Sequence, residues 1–162
     1  MNTPKNSYTC SMEDISPVLE QLLQDGREVR IRVTGNSMYP LLRDRRDSVL
    51  LVKAEPGRLR KYDIPLYRRE NGQYILHRII QVKNGVFTIN GDNQYVKEFP
   101  ILPEQVVAVT KGVYRGEHYI SCKNWYYWIY ARLWVWFLPF RKQMLWFYRH
   151  TFGKLRALVR KR

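Results

Sequence analysis

Short apolar and β-branched runs recur through the middle of the chain at residues 28–34, 48–53, 63–68, 74–82, 86–90 and 105–114, separated by turn signals such as Asn71-Gly72 and Asn90-Gly91. Short, closely spaced runs of this kind predict an antiparallel, β-rich domain with little helix. Upstream the period changes. Ile15, Val18, Leu19, Leu22 and Leu23 recur at helical spacing until Asp25-Gly26 ends the pattern, which predicts a short amphipathic helix after a polar stretch over residues 1–12. Beyond residue 118 aromatic residues dominate. The pattern therefore divides the chain into a polar N-terminus with a helix (1–26), a β-rich domain (27–118) and an aromatic tail (119–162), and the expected class is mainly β with α+β character.

Charge alters the picture at the tail. Residues 111–162 carry 12 Lys+Arg against one acidic residue, so most of the formal net charge of +14 lies there, together with all five tryptophans. Arg132, Arg141 and Lys142 interrupt the apolar stretch from Trp125 to Tyr148. The uncharged runs fall far short of the roughly 20 residues a spanning helix needs, and Pro139 breaks or kinks a helix. Aromatic residues mixed with cations suit the headgroup zone of a bilayer. The expectation is peripheral membrane association through two short helices either side of Pro139, with aromatic residues on one face and Arg132, Arg141, Lys142, Arg149, Lys154, Arg156 and Arg160 along its border. The alternative is a tail packed on the domain core, which goes with a cytoplasmic protein. Nucleic acid ranks behind both, because no RNP motif accompanies the basic aromatic stretch. At the N-terminal helix, Glu13, Asp14, Glu20 and Asp25 exclude a membrane span or a secretory signal.

Candidate chemistry lies inside the β-rich part. Gly35-Asn36-Ser37-Met38-Tyr39-Pro40 follows the first strand-like run and suits a sharp turn that exposes the Ser37 hydroxyl. His77 lies within the run Tyr74 to Ile80, where alternation puts it on a face with Ile75 and Ile79 and turns Arg78 the other way. A neutral imidazole, with an ordinary pKa of about 6.5, suits proton removal from a serine, and equally suits a buried structural histidine. Asp92, in Asn90-Gly91-Asp92-Asn93, is either a turn former or the carboxylate that orients the histidine. Cys10 and Cys122 are the only cysteines, with no CxxC and no His/Cys cluster at metal-ligand spacing, so neither zinc nor a disulfide framework nor any cofactor is expected.

Taken in order, S-M-Y-P at 37–40, R-D-S-V-L-L-V at 46–52, K-Y-D-I-P-L-Y at 61–67, L-H-R-I-I at 76–80 and G-D-N at 91–93 resemble the boxes of signal peptidase I and its LexA-like serine peptidase relatives. The resemblance covers roughly residues 29–112. Most bacterial members carry a lysine base where this chain has His77, so it is similar to the Ser-His form. The resemblance implies a strongly bent antiparallel sheet with Ser37 at the rim of a groove that binds an extended peptide. It also implies acyl-enzyme hydrolysis, with Ser37 as nucleophile, His77 as base and then acid, the Ser37 N–H at the oxyanion, and Asp92 orienting His77. In Ser-His members the orienting acid can lie just past G-D-N, where this chain has Glu98.

Three positions depart from the family pattern. Arg46 and Tyr62 stand where glycines are usual, so both turns lose a residue that reaches positive φ easily. Gly35 replaces a hydroxyl that assists the oxyanion hole, and typical members begin with a membrane anchor that this N-terminal helix cannot supply. The roughly 30 residues before the boxes are also too few for the DNA-binding domain of LexA-like repressors. The leading expectation is a serine endopeptidase that removes a signal or leader segment from a peptide or preprotein. Its rival is a catalytically inactive member of the fold that binds peptide or membrane.

Overall fold

In a computed structural model, which describes residues 12–143, nine strands and two α-helices form a mainly β, strongly curled antiparallel structure. Helix α1 (Met12–Gln24) buries Leu19 and Leu23. Gly26, at φ 75°, ends it: the Gly26 N–H donates to the Leu23 carbonyl at 3.1 Å and the Arg27 N–H to Leu22 at 3.0 Å, satisfying two carbonyls of the last turn. Val18 of the same periodic set is exposed.

Strands β1 (Val29–Arg32), β2 (Asp47–Lys53), β3 (Pro65–Arg68), β4 (Tyr74–Leu76), β8 (Val106–Arg115) and β9 (His118–Ser121) make one sheet, in the order β1-β2-β8-β3-β4 with β9 added to β8. Strands β5 (Arg78–Lys83), β6 (Val86–Asn90) and β7 (Lys97–Ile101) make a second. The run 74–82, expected as one strand, is divided between the sheets: β4 ends at Leu76, β5 starts at Arg78, and His77 is the joint. Strict alternation fails there. His77 and Arg78 are both buried, His77 between the sheets and Arg78 beneath the second helix, because the chain turns between them.

Two apolar clusters follow from this arrangement. One, including Leu19, Leu42, Leu51, Ile64 and Ala108, fills the space between α1, the large sheet and helix α2 (Trp125–Trp136). The other, including Tyr67, Ile79, Phe87 and Ile101, lies where the sheets meet. Tyr127 and Ala131 of α2 belong to the first cluster, so the beginning of the tail shares the core of the β-rich part, and β9 crosses the boundary expected at residue 118. Arg141 corrects a further expectation: it is 1% exposed rather than lying on an aromatic border. Arg149, Lys154, Arg156 and Arg160 lie outside the described residues. No helix among the described residues is long and apolar enough to cross a membrane.

Of Arg46 and Tyr62, only one takes a positive φ. Tyr62 sits at φ 87° and Arg46 does not, its neighbour Arg45 taking φ 53° instead. Arg46 stays on the surface and binds Asp47 through Nε at 2.6 Å and Nη2 at 2.8 Å. Tyr62 is held in its unfavourable conformation on both sides, by its N–H on the Ile79 carbonyl at 2.8 Å and its carbonyl under Arg78 at 3.1 Å. Such a conformation costs on the order of 1–3 kcal/mol, so the packing around Tyr62 offsets it.

Candidate active site

The Ser37 loop is fixed from both ends. Gly35, at φ 84°, turns the chain after β1, and its N–H donates to Asp44 Oδ1 at 2.8 Å. Met38, Leu41 and Leu42 drop into the core and leave Ser37 half-buried at the rim. Asp47, 0% exposed, closes the loop by accepting from the Arg43 N–H at 2.9 Å and from Arg46. Among the described residues, the Ser37 N–H donates to nothing.

His77 is 2% exposed and held through one ring nitrogen. Its Nδ1 lies 3.1 Å from Glu98 Oε1 and 3.4 Å from the Tyr67 hydroxyl, whereas Nε2 has no hydrogen-bond partner among the described residues. Glu98 is fixed in turn by Arg69, through Nε at 2.8 Å and Nη2 at 2.6 Å. Burial pushes the His77 pKa below the ordinary value, Glu98 pulls it back, and Arg69 adds to the lowering. The net effect favours neutral imidazole at neutral pH. Burial also pushes the Glu98 carboxyl up, but hydrogen bonds from Arg69 and Tyr67 and the charges of His77 and Arg69 outweigh it and keep Glu98 ionised.

The turn Asn90–Gln94 joins these two halves, and each residue of the G-D-N box does something different. A Cβ on Gly91 would stand 2.8 Å from the Ser37 carbonyl oxygen and 3.0 Å from His77 Nε2, so the serine loop and the histidine both close on a backbone that has room for no side chain. The Asn93 N–H donates to the Ser37 carbonyl at 2.7 Å and its side chain to the Asn36 carbonyl at 3.1 Å, tying the turn to the Ser37 loop. Asp92 is committed elsewhere. Its carboxylate, 1% exposed, receives Arg78 Nε at 2.9 Å and Nη2 at 2.7 Å.

Asp92 therefore makes no hydrogen bond to His77; Glu98 is the carboxylate at its Nδ1. The physical reason is that Arg78, 0% exposed, requires a full counter-charge, and the turn of the chain between His77 and Arg78 aims it at Asp92. Sequence reasoning weighed Glu98 only through the family resemblance, and it missed Arg69 and Tyr67 as its supports. The spacing itself offered a partial signal, since Glu98 is the first acid after Asp92.

Helix α2 grips the same turn from outside. Tyr127 accepts from Arg78 Nη1 at 3.2 Å, Tyr130 donates to Asp92 Oδ2 at 3.3 Å, and Trp134 Nε1 donates to the Asp92 carbonyl at 2.9 Å. Arg141 Nη1 reaches Asn90 Oδ1 at 2.5 Å and the Gly91 and Gln94 carbonyls at 3.1 and 3.2 Å.

Beside Ser37 lies a cavity of about 120 Å³, lined among others by Ile31, Val33, Met38, Tyr74 and Leu76. Strands β1 and β4 are the two ends of the large sheet, and both border this cavity. The sheet thus curls until its edges face each other across a gap at the serine. Unpaired strand edges flanking an apolar pocket are suited to receive an extended chain.

Gly91→Ala tests whether the joint matters. The added methyl meets Ser37 backbone and a buried ring, neither of which yields easily, so the expected cost is about 1–3 kcal/mol of stability. If the pair is catalytic, a displacement of ~1 Å between Ser37 and His77 lowers kcat about 100-fold. Thermal melting and hydrolysis assays on the purified variant measure the two effects separately. No group of three or more His, Cys, Asp or Glu side chains able to hold a metal occurs among the described residues. No family model matches the chain, and no curated protein matches it.

Proposed function

We propose that this chain is a serine endopeptidase of the signal-peptidase type, which removes a signal or leader segment from a peptide bound as an extended strand between β1 and β4. The observation that carries this reading is the convergence at Gly91. A half-exposed serine and a histidine with a free Nε2 close on one turn, and the histidine's other nitrogen faces an ionised glutamate. In this mechanism Ser37 Oγ attacks the scissile carbonyl while His77 Nε2 takes its proton. His77 then returns that proton to the leaving amine, and water hydrolyses the acyl-enzyme by the same route. Glu98 holds the imidazole in the tautomer protonated at Nδ1 and stabilises the imidazolium. The free Ser37 N–H is one donor for the oxyanion.

The small apolar cavity beside Ser37 favours a short side chain before the cut. The outer face of α2 supports contact with an anionic membrane surface: Trp125, Trp128, Leu133 and Trp136 are each more than half exposed, and the tail is strongly basic. The discriminating experiment incubates purified protein with leader-bearing peptides encoded beside it and follows cleavage by mass spectrometry, with Ser37→Ala as control. Cleavage by the parent protein and none by Ser37→Ala supports the peptidase. Peptide binding without cleavage by either favours the inactive, peptide-binding alternative.

A further inference from the structure

Away from Ser37, a second cavity of about 240 Å³ opens between residues 60–64, β8 and α2. Arg60, Lys61 and Arg132 converge on it, along with the rings of Tyr62 and Trp128. None of these three cations forms an ion pair among the described residues. Arg132 is instead held by rings, its guanidinium 3.3 Å from the Trp128 centroid and 4.7 Å from that of Tyr62. Stacking of this kind presents the charge without neutralising it.

Thr110, 6% exposed, also lines this cavity, and its hydroxyl has no hydrogen-bond partner among the described residues. A buried hydroxyl is rarely left in that state, so its position calls for an acceptor in the cavity. Asp63 is the one carboxylate among the described lining residues; it accepts from the Arg60 N–H at 2.8 Å and offsets one of the three cations, so the lining keeps a net positive charge. Tyr62, the residue strained at φ 87°, forms part of the wall. Trp128 belongs both to the lining and to the exposed aromatic face of α2, so the cavity opens onto that face.

Three unpaired cations and a free hydroxyl in a space of this size match a phosphate ester, and the adjoining aromatic face matches an apolar chain. We infer that the cavity between Lys61, Thr110 and Arg132 binds the phosphate headgroup of an anionic phospholipid whose acyl chains lie along the outer face of α2. This deepens the membrane-surface part of the proposed function and is independent of catalysis. Thr110 accounts for an acceptor at one place, which a diffuse attraction of a basic surface to anionic lipid does not require.

The test uses the full chain with vesicles of phosphatidylcholine, with and without phosphatidylglycerol, read by co-sedimentation and tryptophan emission. Thr110→Val keeps the shape and charge and is expected to weaken binding to phosphatidylglycerol vesicles by about tenfold or more, the effect of one lost hydrogen bond to a charged group. Arg132→Gln is expected to weaken it about tenfold, while Lys83→Gln, an equal loss of charge at an exposed position outside the cavity lining, changes it less than about twofold. Circular dichroism and melting of each variant confirm the fold.

If Thr110→Val and Arg132→Gln bind like the parent, the headgroup site is overturned while general membrane attraction stands. If the parent ignores phosphatidylglycerol vesicles, both are overturned. If soluble glycerol phosphate binds in a Thr110-dependent way and vesicles add nothing, the cavity serves a soluble phosphate ester and the lipid assignment fails. Cleavage of leader peptides enters none of these readouts, so loss of the peptidase reading leaves the outcome unaffected.

Discussion

Ser37→Ala and His77→Gln are each expected to reduce kcat for leader-peptide cleavage by roughly 10³-fold or more, because a nucleophile and its base fail as a unit. Ser37 is half-buried at a rim, and its side chain makes no hydrogen bond among the described residues, so its loss should leave the melting temperature almost unchanged. Glutamine at 77 keeps much of the volume of a buried ring but cannot take up the proton. Glu98→Gln belongs to the same experiment and separates positioning from chemistry. The amide no longer stabilises the imidazolium, so kcat is expected to fall about 100-fold with the fold retained.

The sign of the pH effect in that variant follows from the charges around the ring. In the parent, burial and Arg69 lower the His77 pKa and Glu98 opposes them, placing the acid limb of kcat/KM below the ordinary histidine value of about 6.5. Removal of the Glu98 charge leaves burial and Arg69 opposed only by the weaker influence of Asp92. The limb of Glu98→Gln should therefore move to lower pH at a reduced plateau. An unchanged limb, or full activity in Ser37→Ala, would show that the convergence at Gly91 is structural.

Local pattern reached much of this architecture and stopped where tertiary pairing decides. The runs at 48–53 and 86–90 lie within a residue of β2 and β6, since each is a β-rich segment bounded by turns. β7 is different. Lys97-Glu98-Phe99-Pro100-Ile101 holds two charges and a proline, which local propensity reads as loop, and it becomes a strand only because it pairs with β6 at the end of the small sheet. That hidden strand carries Glu98, so spacing marks it as the next acid after Asp92 but could not set it against the His77 ring. Ser37 and His77 stand out in the sequence because the motifs flanking them are local; which carboxylate meets the His77 ring depended on where Arg78 points.

The tail shows the same limit. Its aromatic and basic composition suggested a membrane face, yet composition cannot tell which rings turn inward. In α2, Tyr127, Tyr130 and Trp134 face the Arg78–Asp92 pair, while Trp125, Trp128 and Trp136 face out. One helix thus joins the G-D-N turn to an exposed aromatic surface. Pro139 ends it where Arg141 can fold back beneath the turn, so a residue expected beside lipid instead fixes the backbone of Gly91.

Asp92→Ala should be the most destabilising of these substitutions, with modest direct influence on proton transfer. It leaves Arg78 charged, fully buried and without its counter-ion, a change worth about 3–5 kcal/mol in comparable pairs. The damage should spread along named contacts. Tyr130 loses its acceptor, the hold of α2 on the turn weakens, and Trp134 becomes more exposed to solvent. Chemical denaturation should show a lowered midpoint, and tryptophan emission should shift to the red before global unfolding. The double variant Asp92→Ala with Arg78→Leu removes the stranded charge and should recover a large part of the lost stability, because an apolar pair of similar volume can replace a buried ion pair. Recovery of stability with leader cleavage restored in proportion would assign Asp92 to the scaffold of the turn. If instead Asp92→Ala abolishes cleavage while melting like the parent, Asp92 acts on His77 directly and Glu98 does not.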